Sequence, residues 1–429
     1  MLSFFNKIQT LKTNNFKIET LSGLTVALAL VPEAVAFSLI VGVSPLIGLY
    51  SAFTIGLITS LIGGRPGMIS GATGAVAVVL VALVQSHGIE YMFAAVILAG
   101  LLQVIAGALK LGRFIRLVPE SVMYGFVNGL AIIIFLSQVE QFQFTDSLGE
   151  KLWITGEPLL VMSGLVLLTM SIIFILPKIT KQIPAALVGV LTVSMLTIFF
   201  GIDTKTVGDI ASIGGGLPPF HLPQIPFELN TLEIIFPYAV IIAGVGLIES
   251  LLTINLIDEI TETTGKPNQE CFAQGIANIT TGFFTGMGGC AMIGQSLINI
   301  SSGARARLSG ITASLFLLGF ILYGAPLIEL IPMGALVGVM IMVALGTFEW
   351  ASLKILGKMP TSDVLVMIMV TAITVFLHNL ALAVCIGVII SAIIFAWQNA
   401  FGVHITFYND EKGIKHYEGY VPGRGEMTL

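Results

Sequence analysis

Charge is what this chain has least of. Asp, Glu, Lys and Arg make up 10% of its 429 residues, where a soluble globular protein carries about 25%. A water-exposed surface cannot be built on so little, which excludes a soluble enzyme or binding domain. Cysteine is equally sparse. Cys271, Cys290 and Cys385 are the three present, with neither metal-ligand spacing nor the even count of a disulfide framework. They read as small packing residues. No basic run is found, which argues against nucleic acid as a partner. A phosphate-binding loop, an H-E-x-x-H motif and a Ser/His/Asp set with readable spacing are all missing. The chain therefore reads as no enzyme and no ATP-driven pump, with no cofactor beyond a bound Na⁺.

What is present is apolar length. Hydrophobic residues make up 56%. A membrane-crossing helix needs roughly 20 mostly apolar residues, and only helices or closed barrels satisfy the backbone in lipid. The apolar runs are too long for barrel strands. They lie near 20–42, 46–62, 71–86, 91–109, 118–139, 158–176, 184–201, 233–257, 270–285, 289–301, 308–324, 331–347, 362–377 and 380–400. The expected fold is an all-α polytopic membrane protein of fourteen spans, with both termini on one side of the membrane. Residues 1–19 hold Lys7, Lys12 and Lys17 without a small-residue cleavage site, so they read as a cytoplasmic tail. With that tail inside, every Lys and Arg of the nineteen except Lys151 and Lys205 falls on the inner face, as the positive-inside rule requires. The location implied is the cell's inner (plasma) membrane.

The outer loop 202–232, rich in Gly and Pro, divides the chain into halves of seven spans each. An odd number per half makes the halves oppositely oriented. In each, the third span is short and follows a Gly-rich stretch: Ser70-Gly-Ala-Thr-Gly74 and Gly286-Met-Gly-Gly-Cys290. Paired interrupted segments at matching positions are the mark of an inverted-repeat transporter and of its binding site. A helix starting at the midplane exposes free N–H groups and a positive dipole end. Two such starts facing each other form an anion site without a buried lysine or arginine. Helix packing by small residues is the alternative use of these glycines.

Carboxylates inside a membrane are costly and usually functional. Glu249 lies in Gly244-Val-Gly-Leu-Ile-Glu-Ser-Leu-Leu-Thr253, with Thr253 one turn on and on the same face. A carboxylate and a hydroxyl are hard oxygen ligands suited to Na⁺; Glu249 can equally carry a proton. Glu33 follows Pro32 in span 1, where the proline is expected to break the helix. Its role is either structural or in cation coordination, and Phe37 either walls the pocket or packs. Asn128, Gln103, Gln138 and Glu140 are further polar residues of spans 4 and 5, and Asn128 reads as an interhelix hydrogen-bond partner, with a ligand as the alternative.

Four stretches resemble the sulfate permease (SulP) family of anion transporters, and they occur in the family's order. They are Val31-Pro-Glu-Ala-Val-Ala-Phe-Ser-Leu-Ile-Val-Gly-Val-Ser-Pro-Leu-Ile-Gly-Leu-Tyr-Ser-Ala52, Gly63-Gly-Arg-Pro-Gly-Met-Ile-Ser-Gly-Ala-Thr-Gly74, Leu117-Val-Pro-Glu-Ser-Val-Met-Tyr-Gly-Phe-Val-Asn-Gly129 and Asn268-Gln-Glu-Cys-Phe-Ala-Gln-Gly-Ile-Ala-Asn278. The resemblance covers about residues 15–405. It implies a 7+7 inverted repeat within a transporter domain at 20–402. Spans 1–4 and 8–11 would form a core that moves like an elevator against a gate of spans 5–7 and 12–14, usually in a homodimer. It places the anion between the starts of spans 3 and 10, at Phe37, Thr73, Gly74, Gly289, Cys290 and Ala291. It places cation coupling at Glu249 and Thr253, where Na⁺ is the metal, with Gly288 beside them. Glu33 and Gln295 are secondary candidates and departures from the family pattern, standing where many members have Gln and animal members have Arg. Most members end in a cytoplasmic STAS domain. Residues 403–429 read as strand-turn-strand, resembling the start of such a domain, truncated. The implied function is transport of a small inorganic anion, sulfate or bicarbonate, by Na⁺- or H⁺-coupled symport. An exchanger, a passive channel, a nucleobase symporter and a membrane sensor that binds an anion without moving it are the alternatives.

Overall fold

The computed structural model describes residues 13–112, 119–145, 151–180, 185–209, 216–226, 228–355, 360–377, 380–401, 404–409, 415–421 and 425–428. The N-terminal tail before Thr13, Arg113, Arg116 and His378 lie outside the described residues.

Among the described residues the chain is built from helices: α1 Thr13–Val41, α2 Pro45–Ile62, α3 Gly74–His87, α4 Ile89–Ala108, α5 Glu120–Glu140, α6 Glu157–Ile179 and α7 Ala185–Phe200 in the first half. In the second are α8 Leu229–Thr261, α9 Pro267–Phe283, α10 Ile293–Ser301, α11 Leu308–Tyr323, α12 Met333–Thr347, α13 Thr361–Leu377 and α14 Leu380–Phe401. Two helical turns, Ala325–Glu329 and Trp350–Ile355, lie between α11 and α13. Proline opens α2 and α9, where its missing N–H has no helical partner to lose. Among the described residues, six helices are long and apolar enough to cross a membrane: Phe16–Val41, Pro45–Ile62, Ile89–Ala108, Glu120–Glu140, Glu157–Ile179 and Leu229–Thr261. Pro32 does not break α1, which runs on through it. The expectation of an interrupted first span is therefore corrected. Packed neighbours let a membrane helix keep a proline.

The chain divides into two compact units. The first comprises Met1–Arg116 and Leu130–Phe348. In it α1 packs on α2 and α11, α2 on α9 and α11, α4 on α8 and α9, and the short helices α3 and α10 each lie against both α1 and α8. Exchanging α1–α4 for α8–α11 turns the α1–α11 pair into α8–α4, α2–α11 into α9–α4 and α10–α1 into α3–α8. These three pairings of the two four-helix groups thus map onto one another under the exchange. The α4–α9 crossing is set by glycine: a Cβ on Gly100 would lie 2.6 Å from the Gly275 carbonyl oxygen, and one on Gly275 equally close to that of Gly100. Close backbone approach through small residues is how helices associate in lipid, where burial from water cannot drive them together. One apolar cluster joins Val31 and Leu49 to Leu165, Val193, Leu317, Met333 and Leu336.

The second unit comprises Leu117–Gly129 and Glu349–Leu429. Gly125 and Gly129 of α5 meet Val370 and Thr374 of α13, and Thr371 donates to the Gly125 carbonyl at 3.0 Å. Asn128 accepts from the Glu349 N–H and donates to the Ser352 hydroxyl, both at 2.8 Å. That is a structural hydrogen-bond role. The tail forms an antiparallel sheet, His404–Asn409 against Lys415–Val421 and the latter against Gly425–Thr428. The two strands expected from the sequence pair there, and the residues between them lie outside the described ones.

Candidate functional site

The two Gly-rich stretches meet. Strand β1, Ser70–Gly71, pairs antiparallel with β2, Cys290–Ala291, with Ser70 opposite Ala291 and Gly71 opposite Cys290. Helix α3 starts just beyond β1 and α10 just beyond β2. Because the strands are antiparallel, the helices leave in opposite directions with their starts side by side. Neither start has a side-chain cap: Thr73 and Met292, at the cap positions, make no capping bond. The first N–H groups of both helices are thereby left for another acceptor.

Side chains from neighbouring helices lock this junction. The Met292 N–H reaches the Ile69 carbonyl at 2.9 Å. Ser296, in the first turn of α10, takes the Ile69 N–H at 2.9 Å. Ser250 of α8 takes the Ala291 N–H at 3.1 Å, and Ser51 of α2 takes the Met287 N–H at 2.6 Å. Asn278 of α9 holds Gly289 at both backbone groups, accepting from its N–H and donating to its carbonyl at 3.0 Å each. The same Asn278 amide donates to Gln103 of α4 at 2.8 Å. Gly288, at φ +74°, and Thr285, at φ +54°, bend the chain into β2. Such backbone suits glycine and strains a β-branched threonine.

The residues named from the sequence fall as follows. Phe37 packs on Gly74: a Cβ there would lie 2.9 Å from the ring carbon Cε1. The Thr73 hydroxyl and the Cys290 thiol are 3.2 Å apart. Cys290 Sγ donates to Glu249 Oε2 at 2.9 Å. The Thr253 hydroxyl donates to the backbone carbonyl of Glu249 at 2.8 Å, leaving its oxygen lone pairs open to a cation. Ala291 is held by β1 and Ser250. Glu33 accepts from the Gln295 amide, joining α1 to α10 through two neutral-to-acidic side chains where a salt bridge would need Arg. Thr253 and Cys290 show no exposed surface and Thr73 only 2%, while Glu249 is partly buried. The sequence reading passed over Asn278, Ser250 and Ser296 as functional residues. The signal available was an amide and hydroxyls set in otherwise apolar helices. Their partners lie too far along the chain for spacing to reveal.

Two short helices starting back to back across a strand pair, inside a bundle of apolar helices, define a multi-pass membrane protein of transporter class. The chain belongs to the sulfate permease family, whose model matches residues 16–370, as the four motifs led us to expect. It is 47% identical over 381 residues to the putative sulfate transporter YbaR of Bacillus subtilis, covering 89% of this chain and 77% of that one. It is 32% identical over 398 residues to the bicarbonate transporter BicA of Synechocystis, covering 89% and 70%. Among solved structures, the transmembrane domain of a cyanobacterial bicarbonate transporter BicA superposes with a TM-score of 0.74 at 30% identity, covering 89% of this chain and 98% of that domain.

Proposed function

We propose that this chain is a secondary active transporter that brings a small inorganic anion, sulfate or bicarbonate, into the cell with Na⁺ or H⁺. The observation that carries the reading is the β1–β2 junction. It sets two uncapped helix starts side by side and ties the α3 start to the Glu249 carboxylate through Cys290. Backbone N–H groups at helix starts attract an anion. The Glu249 carboxylate and the Thr253 hydroxyl oxygen offer hard ligands to Na⁺, or Glu249 alone a proton site.

In this reading the anion is held by Thr73, Gly74, Gly289, Cys290 and Ala291, with Phe37 as the apolar wall. Glu33 and Gln295 close the α1 side, and Gly288 sets the approach to the cation site. The fourteen helices are fourteen spans of a 7+7 inverted repeat, with both termini in the cytoplasm. A core of α1–α4 and α8–α11 moves like an elevator against a gate of α5–α7 and α12–α14, in a homodimer in the inner (plasma) membrane.

The test is uptake of labelled sulfate and labelled bicarbonate into proteoliposomes under an imposed Na⁺ or H⁺ gradient. Accumulation above electrochemical equilibrium, driven by one gradient, is the expected result and names both ions. Uptake that stops at equilibrium marks a channel. Uptake that requires an anion inside marks an exchanger, and competition by uracil or xanthine a nucleobase carrier.

A further inference from the structure

Thr73, Cys290 and Glu249 form a continuous chain of side chains from the start of α3 to α8. Cys290 Sγ donates its single proton to Glu249 Oε2 at 2.9 Å. Thr73 Oγ1 lies 3.2 Å from the same sulfur, in a contact either atom can donate. A thiol has only one proton to give. While it goes to the Glu249 carboxylate, the contact with Thr73 requires the threonine hydroxyl to donate to sulfur. Thr73 then presents only lone pairs on its other side, which an anion avoids.

The positions are rigidly held. Cys290 is fully buried, its backbone pairs with Gly71, and the preceding Gly289 is gripped by Asn278. Thr253 cannot replace the thiol as donor to the carboxylate, because its own proton is given to the Glu249 backbone carbonyl. Beside the chain, the amide nitrogen of fully buried Gln103 has no hydrogen-bond partner among the described residues. A Cβ on Gly246 would lie 3.0 Å from that nitrogen and 3.4 Å from Cβ of Cys290. An unpaired buried donor costs free energy until an acceptor arrives, and this one stands next to the relay.

We propose that Cys290 is a positioning residue that couples the cation to the anion by reversing the direction of this hydrogen-bond chain. The proposal rests on the transport reading above. When the driving cation binds at Glu249, the carboxylate ceases to hold the thiol proton. The thiol turns to donate to Thr73 Oγ1, and the threonine hydroxyl is released to donate to the anion beside the α3 start. No bond is made or broken apart from hydrogen bonds, and each group keeps its own proton. By linkage, the anion strengthens cation binding by the same factor.

The experiment measures the anion concentration for half-maximal uptake, with and without the driving cation, using sulfate and bicarbonate as probes. The proteins compared are the unaltered chain, Cys290→Ser, Cys290→Ala and Thr73→Val. In the unaltered chain the cation should lower the half-saturating anion concentration about fivefold or more, the lower end of ordinary coupling between sites. Cys290→Ser, which can still give and accept a hydrogen bond, should keep that ratio. Cys290→Ala and Thr73→Val should bring it close to one. A wild-type ratio in either of these two, or its loss in Cys290→Ser, overturns the relay. If one of the pair fails to fold, the other carries the same test. Uptake by the unaltered chain at a half-saturation indifferent to both cations overturns the relay and leaves transport standing. Uptake of neither anion ends the transport reading itself.

Discussion

A Cβ built on Gly289 would lie 2.0 Å from the carbonyl oxygen of Gly71, so these two residues set how closely the starts of α3 and α10 approach. No side chain fits there without parting β1 from β2. Gly289→Ala should lower stability by about 1–3 kcal/mol, the ordinary cost of overpacking, and reduce anion uptake at least tenfold. Gly164→Ala in α6, where a Cβ meets nothing within 4 Å, is the control and should retain uptake. Equal uptake by the two variants would show that the separation of β1 and β2 is not critical.

Asn278 serves Gly289 as a neighbouring strand would, meeting both its N–H and its carbonyl. Asn278→Ala strips both groups of their side-chain partner in a buried place, and each such loss costs about 1–3 kcal/mol. The expected outcome is a lower melting temperature in detergent and a raised half-saturating anion concentration. Because Gln103 loses its partner at the same time, Asn278→Ala combined with Gln103→Ala should cost less than the sum of the two single changes. Full additivity would mean that the amides act independently.

The interrupted spans were legible because glycine and polar residues stand out in apolar sequence, and their matched positions in the two halves suggested that they meet. Glu249 and Thr253 were legible as a pair through helical spacing. The strand pairing was not: two residues on each side, Ser70–Gly71 and Cys290–Ala291, are too few to carry a periodicity. Nor was the thiol's engagement with Glu249, since a cysteine in an apolar run reads as packing whatever it touches. Pro32 misled for a related reason. Local rules mark it as a breaker, but packing in the bundle keeps α1 whole. Glu19 was assigned to a solvated tail by its neighbouring lysines. In the fold it sits inside α1 and is only 2% exposed.

That buried Glu19 makes a prediction of its own. Its carboxylate accepts from the N–H groups of Arg305, Ala306 and Ser309 at 2.7, 2.9 and 3.1 Å, capping the start of α11 from another helix. A carboxylate at a helix start satisfies orphan donors and complements the dipole. Glu19→Ala leaves these donors without their partner and should destabilise the protein by about 1–3 kcal/mol, with Glu19→Gln intermediate. Thermal unfolding in detergent measures this. A melting temperature unchanged in Glu19→Ala would mean that water replaces the carboxylate at no cost.

Under the proposed transport reading, Glu249 and Thr253 form the cation site, and two substitutions test it. Glu249→Gln removes the charge that either ion needs and should abolish gradient-driven accumulation while leaving the bulk of the side chain in place. Retained coupling in that variant would remove Glu249 from the cation site. Thr253→Val then separates the ions. Sodium is bound by several oxygens, so loss of the hydroxyl should raise the half-saturating Na⁺ concentration tenfold or more if Na⁺ is the driver. A proton needs only the carboxylate, and under H⁺ coupling the pH dependence of uptake should survive Thr253→Val. The valine methyl cannot mimic the hydroxyl oxygen but fills nearly the same volume, and the Thr253 proton goes only to the carbonyl of Glu249 in its own helix. The change therefore tests ligation by the hydroxyl with little disturbance of helix packing.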